Sequence, residues 1–82
     1  MERINIYIVA ITEELQDYNE YYAFTDLEKA EKFTKNQIAT AKATTNISEI
    51  YTDTEFEFYF NSSEGNQKIY LYQTLTNNDW GN

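Results

Sequence analysis

The stretch Glu49-Ile50-Tyr51-Thr52-Asp53-Thr54-Glu55-Phe56-Glu57-Phe58-Tyr59-Phe60 alternates apolar and polar residues along most of its length. An extended chain sends successive side chains to opposite faces. Ile50, Phe56, Phe58 and Phe60 therefore share one side, while Glu49, Tyr51, Asp53, Glu55, Glu57 and Tyr59 share the other. Residues two apart on a strand lie about 6.7 Å from one another, so the second side carries a row of like charges that repel. The reading is one strand with an apolar side to bury and an acidic, tyrosine-bearing side. Its apolar side must pack on another layer of secondary structure.

Working outward, residues 3–11 are β-branched and apolar on both sides, with Ile4, Ile6 and Ile8 on one and Tyr7, Val9 and Ile11 on the other. That is the pattern of a central strand. The polar stretch Thr12 to Asn19 makes a turn, and residues 20–24 return as a second strand. Thr25-Asp26-Leu27-Glu28 matches a capping box with Thr25 as the cap, which opens a helix over 26–43. On that helix Leu27, Ala30, Phe33, Thr34, Ile38 and Ala41 recur at three- and four-residue spacing, opposite Glu28, Lys32, Lys35 and Lys42. A third strand over 47–60, a turn over 61–66 and a fourth strand over 67–76 complete the chain. In the last strand Ile69, Leu71 and Leu75 alternate with Tyr70, Tyr72 and Thr74. The expected fold class is α+β: a single domain over 1–82, in the order β-β-α-β-β, with a four-stranded antiparallel sheet covered on one face by one helix.

Composition limits what such a domain can do. Fourteen acidic residues against six basic ones give the 82-residue chain a net charge of −8, which opposes direct binding to nucleic acid or to an anionic membrane. A basic partner protein is the expected complement. The charge is also uneven: the helix nearly balances its acids with Lys29, Lys32, Lys35 and Lys42, whereas elsewhere only Arg3 and Lys68 are basic. The acidic row of the third strand is thus expected to have few internal partners. With no cysteine and no histidine, the usual nucleophiles, bases and metal ligands are missing. No enzyme, cofactor or metal site is expected. Glu13, Glu14, Asp17 and Glu20 lack the spacing and the glycine of a calcium loop. The first apolar run is too short to span a membrane, so a cytoplasmic protein is the expectation. A chain this small has a modest core and neither disulfide nor metal to staple it, which leaves room for a homodimer.

The candidate binding residues are Glu49, Tyr51, Asp53, Glu55, Glu57 and Tyr59, joined by Tyr70 and Tyr72 if the last two strands pair. This surface has two readings. One is the solvated side of a half-exposed sheet. The other is a partner-binding face in which tyrosines anchor and carboxylates steer a basic protein, a row of negative charge standing in for the phosphates of a nucleic acid. In the first hairpin Tyr22 and Phe24 share parity and are expected to face the helix, leaving Tyr21 outside. Trp80 either caps the core or protrudes as an anchor.

The segment from Tyr7 through Phe33, with its hairpin, its Thr25-Asp26-Leu27-Glu28 cap and its amphipathic helix, resembles the opening of many small phage and mobile-element proteins. In size, acidity and tyrosine content the chain is similar to phage-encoded inhibitors of host defence, including anti-CRISPR proteins, several of which imitate nucleic acid. The resemblance implies a stoichiometric inhibitor of a nucleic-acid-binding protein, such as a CRISPR nuclease, acting in the cytoplasm of a bacterial host. It brings no active-site residues with it.

Overall fold

Residues 3–15 and 17–77 are described by a computed structural model. Their elements are β1 (Arg3–Glu13), β2 (Tyr18–Phe24), α1 (Leu27–Thr44), β3 (Ile47–Asp53), β4 (Glu57–Ser62) and β5 (Gly65–Asn77). The class is α+β, as the sequence leads one to expect, but the sheet has five strands rather than four. The expected long third strand over 47–60 is a hairpin. At Thr54 the backbone N–H donates to the Glu57 carbonyl at 2.8 Å, the chain reverses, and Asp53 comes to lie opposite Phe58.

The strands are all antiparallel and run in the order β2-β1-β5-β4-β3. The first and last strands pair in the centre, from Arg3 opposite Asn77 to Glu13 opposite Gln67. Both outer positions fall to the strands that flank the helix in sequence, so α1 carries the chain across one face from the β2 edge to the β3 edge.

Asp26 caps α1, one residue beyond the expected Thr25: its carboxylate accepts from the backbone N–H of Glu28 at 2.9 Å and of Lys29 at 3.4 Å. A short carboxylate at this position also meets the positive end of the helix dipole. Ala30, Thr34 and Ile38 are the buried positions of the helix, and the Thr34 hydroxyl is satisfied by donating to the Ala30 carbonyl at 2.8 Å. Beneath them Ile38 joins Phe58, Phe60 and Ile69 in the core, with Ile11, Ala41 and Ile47 packed around it. Toward the β2 edge the layer is aromatic instead. Phe33 lies 4.9 Å from the Tyr22 ring and 5.4 Å from the Phe24 ring, so both strand residues face the helix as their parity predicts. Tyr21 stays outside.

The turn of the last hairpin is shorter than the six polar residues suggest. Ser62 pairs with Gly65, leaving Ser63 and Glu64 between them. Gly65 has φ +93°, a region that favours glycine. A Cβ there would meet Leu15 Cβ at 2.8 Å, because the two hairpin turns lie against each other. Among the described residues no helix is long and apolar enough to cross a membrane. Trp80 lies outside the described residues.

Candidate functional site

Helix α1 covers one face of the sheet, and the strand registers define what the other face displays. One row across it reads Tyr21, Ala10, Tyr70, Glu57, and the next reads Asn19, Thr12, Lys68, Tyr59, Thr52. Tyr72 extends the surface from the position opposite Ile8. The paired register of β3 and β4 shifts between Ile50 and Thr52, and Tyr51 in that interval packs at a tilt against Tyr59 with ring centroids 4.9 Å apart. Tyr70 and Tyr72 stack at 5.6 Å. Tyr21, Tyr51 and Tyr72 remain 59%, 48% and 41% exposed, although they belong to a face whose floor includes fully buried Ala10.

Asn66 ties this surface to the first hairpin. Its side-chain oxygen accepts from Asn61 Nδ2 at 2.8 Å and lies 3.5 Å from the Tyr51 hydroxyl, while its Nδ2 donates to Glu14 Oε2 at 3.1 Å. Partial desolvation, followed by the nearby Glu49 carboxylate, raises the Tyr51 phenol above its ordinary value of 10.0. Deprotonation would put a second negative charge beside the first.

The eight candidate residues divide. Glu49, Tyr51, Glu57, Tyr59, Tyr70 and Tyr72 do share the open face. Asp53 and Glu55 do not. The shift at Tyr51 reverses parity, and both carboxylates turn toward the helix side, where α1 meets them with lysines. Lys42 Nζ lies 3.0 and 3.1 Å from the two oxygens of Asp53, and Lys35 Nζ lies 2.8 Å from Glu55. On the open face Lys68 Nζ lies 3.7 Å from Glu57 and 4.5 Å from the centroid of the Tyr70 ring. The expectation of an acidic row with few internal partners is therefore corrected: Asp53, Glu55 and Glu57 each have a lysine. Two of the three come from the helix, whose near neutrality made its lysines look already spent on their own neighbours. The Glu55 carboxylate in turn raises the Lys35 ammonium above 10.5 against a smaller opposing effect of desolvation.

Sequence reasoning counted Lys68 among the few basic residues outside the helix but did not place it on the open face. Its position among Gln67, Ile69 and Tyr70 gives the parity of the open face, and that parity is the signal that places a cation among the tyrosines. It also left Glu20 among the solvated acids of the first turn. Instead Glu20 is the acceptor for Tyr22, whose hydroxyl donates to Oε2 at 2.7 Å, and it raises the phenols of both Tyr18 and Tyr22 chiefly through hydrogen bonding. Among the described residues no three acidic side chains converge on a point where a metal ion would sit. No protein-family model, curated protein or solved structure matches this chain.

Proposed function

We propose that this protein is a non-enzymatic binding domain that engages a basic partner through the open face of its sheet. The observation that carries the reading is the exposure of Tyr21, Tyr51 and Tyr72 on a face that no element among the described residues covers. Tyrosine offers large contact area at low entropic cost together with a hydroxyl, which is why it is enriched where proteins meet.

Charge supplies the choice of partner. Ion pairing on the surface does not alter the net charge of −8, which sets the long-range field that steers a basic protein. The pairs of Lys42 with Asp53, Lys35 with Glu55 and Lys68 with Glu57 are all solvent-exposed. Such pairs contribute about 0–1 kcal/mol each, so an incoming arginine can exchange with a lysine at little expense. In its most specific form, the partner is a nucleic-acid-binding host protein such as a CRISPR nuclease, and the chain is a phage-encoded inhibitor occupying its basic groove. The resemblance in size, acidity and tyrosine content supports that form.

The test is affinity capture from bacterial lysate at low ionic strength with a high-salt wash, followed by titration of the captured protein against two variants. Tyr51→Ala with Tyr72→Ala removes anchors. Asp53→Asn, Glu55→Gln and Glu57→Gln together remove steering charge. The reading expects the first pair to weaken binding at every salt concentration and the second set to weaken it mainly at low salt. Affinity within twofold of wild type for the charge variant at both low and high salt would remove the electrostatic mechanism.

A further inference from the structure

The sheet has two outer strands, and they are built differently. The register of β3 shifts twice against β4, between Ile47 and Glu49 and again between Ile50 and Thr52, and the strand carries Glu49 and Asp53, with Glu55 just beyond its end. Irregularity and charge are how natural sheets discourage a further strand from adding to an edge. Strand β2 has neither protection. It pairs with β1 through seven consecutive positions, from Tyr7 opposite Phe24 to Glu13 opposite Tyr18, with no shift. Its sequence Tyr18-Asn19-Glu20-Tyr21-Tyr22-Ala23-Phe24 holds no proline, no glycine, no lysine and a single charge.

We infer that the free edge of β2 is a self-association surface that pairs with β2 of a second copy, antiparallel across a two-fold axis at Tyr21. The register is selected by the sequence. Tyr21 is the midpoint of the strand, so an axis there uses all seven residues and places Glu20 opposite Tyr22 of the second copy, Asn19 opposite its Ala23, and Tyr18 opposite its Phe24. An axis at Glu20 would set two carboxylates face to face. An axis at Tyr22 would oppose Tyr18 to Asp26, outside the strand. In the chosen register the phenol–carboxylate pair already present within the strand, Tyr22 with Glu20, recurs across the axis in both directions. An axis normal to the sheet keeps both helices on one side, so the five-stranded sheet doubles and the two open faces become continuous through Tyr21.

This assembly has a salt dependence opposite to that of basic-partner binding. Two copies of net charge −8 repel, and added salt screens the repulsion. Sedimentation velocity over a dilution series should show a reversible monomer–dimer equilibrium whose Kd falls as salt rises. Tyr21→Lys places two ammonium groups opposite each other at the axis and should raise Kd by about tenfold or more, a change worth ~1.4 kcal/mol. Tyr21→Glu should do the same, and an equimolar mixture of the two variants should restore the dimer, because lysine then faces glutamate. Ile50→Gln on the other edge, which keeps the net charge at −8, should leave Kd unchanged. Circular dichroism of each variant confirms that it folds. A wild-type chain that stays monomeric at every concentration and salt overturns the inference; so does a dimer indifferent to Tyr21→Lys, or a mixture that fails to reassociate.

Discussion

The covered and open faces of the sheet are made from alternate residues of the same strands, yet they end in different states. On β4, Phe58 and Phe60 are sealed beneath α1, while Tyr59 between them stays partly in water and packs at a tilt against Tyr51. On β5, Ile69 is buried on one side and Tyr70 lies half-buried beneath Lys68 on the other. The contrast teaches that an aromatic ring on a strand has no fixed role. A phenylalanine beneath a helix contributes by leaving water, whereas a tyrosine on an uncovered face retains its contact area for something else. Substitutions on the first face should cost stability, and substitutions on the second should cost association.

The largest effect is expected at Phe58. Phe58→Ala empties a fully buried site and should lower unfolding free energy in urea by about 3–5 kcal/mol; a loss below ~1 kcal/mol would mean that the helix does not seal this face. Next is the cap of the covering helix. Asp26→Ala deprives the Glu28 and Lys29 amides of their acceptor and should cost about 1 kcal/mol, while Thr25→Ala, one residue earlier, should cost distinctly less. The open face should respond more weakly. A double-mutant cycle on Tyr51→Leu and Tyr59→Leu should give a coupling of about 0.5–1.5 kcal/mol, the range for packed aromatic pairs, and a coupling of zero would deny that the two rings meet in solution.

The smallest effect is in pH. Tyr18, Tyr22 and Tyr51 have phenol values raised above 10.0 and Lys35 has an ammonium value raised above 10.5. The folded chain therefore holds these protons more tightly than the unfolded one, so the contribution is fully present below pH 10 and declines as pH rises through the raised values. Thermal melts should be insensitive to these groups through neutrality and fall on the alkaline side. Glu20→Gln should shift the phenolate absorbance titration of Tyr18 and Tyr22 toward lower pH.

Much of this contrast was legible in the sequence because two inversions cancel: the extra residue at Tyr51 reverses the alternation, and the turn that sets Asp53 opposite Phe58 reverses it back. Ile50, Phe58 and Phe60 reach the covered side, and Glu49, Tyr51, Glu57 and Tyr59 reach the open one, as alternation predicts. The strand count was not legible, since the reversal at Thr54-Glu55-Phe56 carries no glycine, proline or asparagine to punctuate it. The same blind spot misplaced Asp53 and Glu55: one additional residue at Tyr51 inverts everything between it and the turn. The helix was read correctly apart from its cap, because Thr25 and Asp26 are both good caps in adjacent positions. The lysine partners were hidden for a different reason. Lys35 and Lys42 find their carboxylates across tertiary space, and spacing within a helix is silent about what lies beyond it.

The central pairing of β1 with β5 also bears on how the chain reaches this structure. During synthesis the β1–β2 hairpin emerges well before β5, with Ile8, Val9 and Ala10 on a strand whose inner edge has no mate until β5 is made. Contacts between such distant segments slow folding. Throughout that interval the hairpin presents an unmatched, apolar β1 to solvent, so β5 is the strand that closes the sheet and ends this aggregation-prone stage.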